Sequence, residues 1–131
     1  MKDCAFCNPE KNGNTVLYRD RKCLVILDKR PISYGHVLVI PIEHYKDVFE
    51  APEELVSHLF LTATRYGKRL KKRLGAKGAN IVTNIGKSAG QTQMHLHIHI
   101  IPRYGGWPVY NKSASEISEK DKRDLLAKLE E

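Results

Sequence analysis

The chain has 131 residues, 41% of them hydrophobic and 28% charged, with a net charge of +7. That length suits one domain with a continuous core, no run reaches the ~20 apolar residues of a membrane span, and the opening residues carry no apolar signal segment. Three cysteines, an odd number, argue against a disulfide framework, so the expectation is a single-domain, soluble cytoplasmic protein with no membrane partner.

Within the opening segment, residues 1–14, Cys4-Ala5-Phe6-Cys7 spaces two thiols as a redox motif does. A redox pair of this kind follows a strand and opens a helix, whereas Asn8-Pro9 follows here, so thioredoxin-like chemistry is discounted. The remaining readings are half of a tetrahedral zinc site, completed by ligands from elsewhere, or a frayed terminus with two free thiols. Residues 15–18 read as a short strand and 19–22 as a charged turn. Residues 23–27 then form a buried strand that ends at Asp28, with Cys23 a small core residue. Asp28 meets the turn Lys29-Arg30-Pro31, where an Asp commonly caps its own backbone. Residues 35–41 form the partner strand, with His36 at its start and Pro41 ending it because proline cannot donate to the ladder.

From Pro52 to Leu74 the pattern is helical: Glu53 and Glu54 complement the amino end of the dipole and Gly75 can end the helix. Leu55, Leu59, Thr62, Tyr66 and Leu70, flanked by Val56, Phe60 and Ala63, make the buried face, and His58 reads as plain helix surface. Arg65, Lys68, Arg69, Lys71, Lys72, Arg73 and Lys77 form a basic stripe that accounts for the whole net charge. No aromatic residues interleave with these charges and no recognition motif accompanies them. The stripe is therefore read as dipole complement and solvated face with weak steering of polyphosphates, and no nucleic-acid partner is expected. Residues 79–83 are the next strand. Residues 102–110 are a turn-rich aromatic segment that leads into the tail 104–131, and Ser118-Glu119-Lys120-Asp121 resembles a capping box opening a short terminal helix.

Between these elements, His95, His97 and His99 alternate with Leu96, Ile98 and Ile100, the period of a half-buried strand, so the three imidazoles are expected on one face about 6.6 Å apart. A metal site and a nucleophile both use such a face. From Leu55 to Ser115 there is no acidic residue and there are ten Lys and Arg, so nothing in this stretch repels an anion. The loop from Asn84 through Gly90-Gln91-Thr92 is rich in glycine and hydroxyls, and its backbone N–H groups suit a phosphate. It is not a nucleotide P-loop, because Ile81 stands where the first glycine of that motif belongs.

His95-Leu96-His97-Ile98-His99 matches the His-x-His-x-His signature of the histidine triad superfamily. Asp28, Gly35-His36, Pro41, His44 and Gly90-Gln91-Thr92 resemble the family's other landmarks in the same order. The resemblance covers residues 4–105 and implies an α+β fold: an antiparallel sheet of about five strands, one long central helix, a short C-terminal helix, and a homodimer. It implies hydrolysis or nucleotidyl transfer at the α-phosphate of a purine nucleoside phosphate derivative. His97 would be the nucleophile forming a nucleotidyl-histidine. His99 and the Gly90–Thr92 groups would hold the non-bridging oxygens, and Thr92 or Gln91 would help the leaving group. For nucleotide binding it points to Asp28 at the ribose, beside the turn-cap reading, to His36 and Asn84 near the phosphates, and to Phe6 as a wall for the base. It further implies structural zinc held by Cys4, Cys7, His44 and His95, with no catalytic cofactor. If His95 binds zinc it is not also a proton donor. Pro102-Arg103 resembles the branch that hydrolyses dinucleoside polyphosphates such as diadenosine tetraphosphate, and Asn84 the phosphoramidase branch, so both remain open beside a nucleotide-binding protein without turnover.

Overall fold

The computed structural model describes residues 4–106 and 116–130. Its strands are β1 (Val16–Arg19), β2 (Cys23–Leu27), β3 (Val37–Pro41), β4 (Gly78–Val82) and β5 (Ile98–Arg103), and its α-helices are α1 (Glu53–Leu74) and α2 (Glu119–Glu130). The five strands form one antiparallel sheet in the order β1-β2-β3-β5-β4. This is the α+β architecture expected from the sequence. Both helix starts follow local chemistry. Pro52 precedes α1, whose first turn carries Glu53 and Glu54, and the Ser118 Oγ accepts the Asp121 N–H at 3.0 Å. Gly75 ends α1 with its N–H on the Lys71 carbonyl.

α1 covers one face of the sheet. Leu59, Ala63 and Leu70 pack on Val25, Val37, Val39, Leu96, Ile98 and Ile100, and Leu125 and Leu129 of α2 close the same core. Gly67 also lies on this face, where a Cβ would stand 3.5 Å from the Ile100 side chain, so the helix approaches β5 closely. On the opposite face Leu24, Ile26, Leu38 and Ile40 form a second apolar cluster with Phe6 and Val16. β2 and β3 are thus buried on both sides, which explains why they read as unbroken apolar runs.

Three expectations are corrected. Regular pairing in the histidine strand begins only at Ile98, because the ladder with β3 stops at the Val39–Ile98 pair and the Leu96 N–H turns instead to the Tyr45 carbonyl at 2.7 Å. Pro102 and Arg103 are not part of a turn: they continue β5, pairing with Ala79 and Gly78 of β4. β3 covers β5 only through Ile100, so the missing Pro102 N–H breaks no ladder bond on that side. His58 is not plain surface, since its Nε2 lies 2.8 Å from Asp20 Oδ2 and ties α1 to the β1–β2 turn. The basic stripe is exposed on α1 as expected, although Arg69 reaches the Leu129 carbonyl of α2. The aromatic segment 107–110 lies outside the described residues.

Candidate active site and metal centre

The face of the sheet opposite α1 carries a cleft of about 440 Å³, in the range of small-molecule sites. It is lined by His97 and His99 of the histidine run, Asp28 and Ile32 after β2, Asn84, Gly90 and Thr92 of the loop after β4, and Phe6. Gly90 has φ +92°, a left-handed conformation that only glycine adopts without strain, and its N–H closes a tight turn onto the Lys87 carbonyl.

His97 is held by its own chain. Its Nδ1–H donates to the His95 carbonyl at 2.8 Å, and that carbonyl belongs to the stretch the Leu96–Tyr45 bond has lifted off the ladder. A carbonyl at this position requires a proton on Nδ1, which in the neutral ring puts the lone pair on Nε2. The Thr83 hydroxyl donates to the His97 carbonyl at 2.8 Å and fixes the backbone from the other side. Sequence reasoning placed Thr83 in a strand and assigned it no role, because a hydroxyl-to-carbonyl bond across 14 residues leaves no local signature.

His99 is oriented through a chain of hydrogen bonds. The Ile32 N–H donates to His36 Nδ1 at 3.0 Å, so the His36 proton is on Nε2. From there it donates to His99 Nδ1 at 3.0 Å, with Asp28 Oδ2 at 3.4 Å. His99 then carries its proton on Nε2 as a donor. The His97 and His99 rings meet edge-on, with centroids 5.0 Å apart and planes at 70°. Asp28 also receives the Arg30 N–H on Oδ1 at 2.8 Å, so it caps its turn and lines the cleft at once.

Gln91 is elsewhere. Its side chain is buried, with Oε1 accepting the Gly86 N–H at 2.8 Å and Nε2 donating to the Lys46 and Gln93 carbonyls at 2.7 and 3.0 Å. Its amide staples the loop after β4 to the segment after β3, and Gln91 is not among the residues that line the cleft. Thr92 remains exposed on the cleft wall.

His95 is also turned away. It is fully buried, and its Nε2–H donates to the Pro41 carbonyl at 2.9 Å. Burial pulls its pKa down to about 4, against the raising effect of that carbonyl, so the ring is neutral with its lone pair on Nδ1. That atom lies 3.2 Å from Cys4 Sγ, 3.5 Å from Cys7 Sγ and 3.1 Å from His44 Nδ1, and Cys7 Sγ is 3.2 Å from His44 Nδ1. Both His95 nitrogens thus face the Pro41 carbonyl and the cysteine cluster, and His95 is not among the residues that line the cleft.

The Cys4, Cys7, His44 and His95 donors all lie within 4.8 Å of one another. Ordinary zinc bond lengths place tetrahedral sulfur and nitrogen ligands about 3.5 Å apart, close to these separations. The Pro41 carbonyl accepts the Nε2–H and orients the His95 ring, as backbone carbonyls commonly orient zinc-bound imidazoles. Burial, with the adjacent Cys4 thiol, pushes the Cys7 thiol up, a penalty on ionising two close thiols that a dication removes. The donor set fits zinc.

Residues 10–106 match the model of the family described as HIT domain. The adenylylsulfatase HINT3 of Arabidopsis thaliana is 39% identical over 105 residues, spanning 79% of this chain and 53% of that protein. A hypothetical histidine triad nucleotide-binding protein from Sulfolobus tokodaii superposes with a TM-score of 0.87 at 33% identity, covering 96% of this chain and 89% of that one. A Zn-bound histidine triad family protein from Mycobacterium smegmatis gives 0.83 at 34% identity, covering 98% and 94%. With the matched model spanning most of the chain and the histidine geometry described above, the protein belongs to the HIT, or histidine triad, family.

Proposed function

We propose that the protein is a nucleotide hydrolase, or nucleotidyl transferase, that attacks the α-phosphorus of a purine nucleotide through His97, with dinucleoside polyphosphates as the leading substrate class. One observation supports the reading: the His95 carbonyl accepts the His97 Nδ1–H, which favours the tautomer with its lone pair on Nε2, and the ring lines a cleft large enough for a nucleotide. The Nε2 lone pair forms the N–P bond while the bond from phosphorus to the leaving oxygen breaks and its electrons leave with that oxygen. Water then attacks phosphorus, the N–P bond breaks, the electron pair returns to Nε2, and the proton lost by water passes to solvent. The His99 Nε2–H and the Gly90–Thr92 donors hold the non-bridging oxygens as charge builds, each worth a few kcal/mol when well placed.

The leaving group follows from the same network. A neutral His99 that gave up its Nε2 proton would draw on His36 and leave a costly imidazolate, so leaving groups stable as anions suit the site best. Polyphosphate meets that condition, and so does sulfate, which the similarity to an adenylylsulfatase favours as a second reading. Phosphoramidates and acyl-adenylates form the alternative class, and binding without turnover is the alternative outside enzymology. Asp28 takes the ribose hydroxyls, Phe6 walls the base, and His36 and Asn84 stand by the phosphates. Zinc at Cys4, Cys7, His44 and His95 supplies structural cross-linking and no catalytic step. We also propose a cytoplasmic location and a homodimer, the dimer supported by β4, one of the sheet's two edge strands, which exposes Ile81.

The test is AMP release from diadenosine tetraphosphate, adenylyl sulfate and an adenosine phosphoramidate, for the zinc-loaded wild type and His97→Ala. Turnover of the first two above the third, lost in His97→Ala, supports the proposal. Equal turnover by His97→Ala removes the nucleophile, and AMP binding with no turnover favours the binding-protein reading.

A further inference from the structure

Phe6 sits between Cys4 and Cys7 of the candidate metal centre and also touches His97. Its ring meets His97 edge-on, with centroids 5.3 Å apart and planes at 77°, and meets His95 at 6.1 Å and 83°. It packs against the second apolar cluster and lines the cleft, so one face serves the core and another faces the ligand. The turn that carries it is closed by a Cys7 N–H bond to the Cys4 carbonyl at 3.2 Å. It is held to the rest of the fold by the Cys4 and Cys7 thiols against His95 and His44. Thiols bind imidazoles weakly, whereas metal–thiolate bonds fix sulfur positions. Metal loading therefore changes how firmly the Phe6 ring is positioned over the cleft.

We infer that metal occupancy at Cys4, Cys7, His44 and His95 sets the affinity of the cleft for nucleotide, with Phe6 as the positioning residue that carries the coupling. This rests on the nucleotide reading above. It assigns the metal a role in ligand binding without any part in bond breaking. The coupling is reciprocal: nucleotide tightens metal by the factor with which metal tightens nucleotide. An aromatic wall held in place against a base is expected to contribute about tenfold in affinity.

The experiment is calorimetric titration of AMP into the wild type and Phe6→Ala, each zinc-loaded and chelator-stripped, with bound zinc measured in every sample. Loaded wild type is expected to bind AMP about tenfold more tightly than stripped wild type. Loaded Phe6→Ala should keep its zinc, bind AMP about tenfold more weakly than loaded wild type, and show no further dependence on metal, while Phe6→Tyr, which keeps the ring, restores the coupling. Loaded Phe6→Ala binding AMP as tightly as wild type, or keeping the wild-type dependence on metal, overturns the inference. If stripping unfolds the protein, the reciprocal effect is read instead, as the rate at which chelator removes zinc with and without saturating AMP: slowing by AMP in wild type and not in Phe6→Ala supports the inference, and no slowing in wild type overturns it. Equal AMP affinity of loaded and stripped wild type removes the coupling only, whereas no AMP binding by loaded wild type removes the nucleotide reading with it.

Discussion

Gln91 offers the sharpest separation between a chemical and a supporting role. Gln91→Ala deletes one acceptor and two donor bonds, to Gly86, Lys46 and Gln93, at a position only 2% exposed. A net ~1 kcal/mol for each bond gives a loss of about 3 kcal/mol, since the partners lie where water replaces the amide poorly. For a chain of this size that corresponds to a fall in Tm of about 10–12 °C. The loop it staples presents Ala89, Gly90, Thr92 and Gln93 to the cleft, so kcat/KM should fall about tenfold or more at temperatures where the variant is still folded. Thermal melting followed by circular dichroism, with steady-state assays well below the variant's Tm, reads both effects. Gln91→Glu keeps the acceptor but sets a buried carboxylate oxygen against the Lys46 and Gln93 carbonyls, and should be at least as destabilised as Gln91→Ala. A Gln91→Ala protein melting within about 2 °C of wild type would show that the loop is not held this way. A variant with wild-type stability but no turnover would return Gln91 to the chemistry.

Gly35→Ala should cost about 3 kcal/mol by chemical denaturation, because Gly35 has φ +91° and an added Cβ would overlap the Leu74 Cδ1 methyl and stand 3.3 Å from Pro102 Cγ. Thr83→Val removes the hydroxyl that holds the His97 carbonyl, and should lower kcat several-fold with little change in KM, which initial-rate kinetics separates. Burial opposes ionisation of Asp20, but the Lys22 and Cys23 N–H groups, His58 and Tyr18 outweigh it and hold the carboxyl well below its ordinary 3.8. Its stabilising effect is therefore complete above pH 4 and declines as the pH falls below it. Asp20→Asn should be about 2 kcal/mol less stable than wild type at pH 7, with the gap closing under acid denaturation. A gap that widens in acid contradicts the assignment.

Periodicity made most of the fold legible. The bounds of α1 follow from Pro52, the two glutamates and Gly75, and the double-sided burial of β2 and β3 from their unbroken aliphatic runs. The alternation of the histidine run correctly placed Leu96, Ile98 and Ile100 in the α1 core. It did not show where the ladder ends, because that depends on the Tyr45 carbonyl, 51 positions from the N–H it accepts. That one bond divides the imidazoles, sending His95 to the cysteines and leaving His97 and His99 in the cleft. The family resemblance pointed to the four residues that the fold brings into one Cys/His cluster, whereas the residue types and spacing alone supplied only the cysteine pair. The same gap hid the His58–Asp20 pair and the Gln91 staple, since a hydrogen bond between distant residues changes neither local propensity nor hydrophobic period.

The most direct test of the account is to mix the zinc-loaded protein with excess dinucleoside polyphosphate, quench it within a single turnover, and weigh the intact chain by mass spectrometry. The account predicts a transient mass increase of one nucleotidyl group, mapped to His97 by peptide fragmentation, lost in His97→Ala and retained when Gln91 is replaced. AMP formed at full rate with no adduct at any time, or an adduct on a different residue, would contradict it.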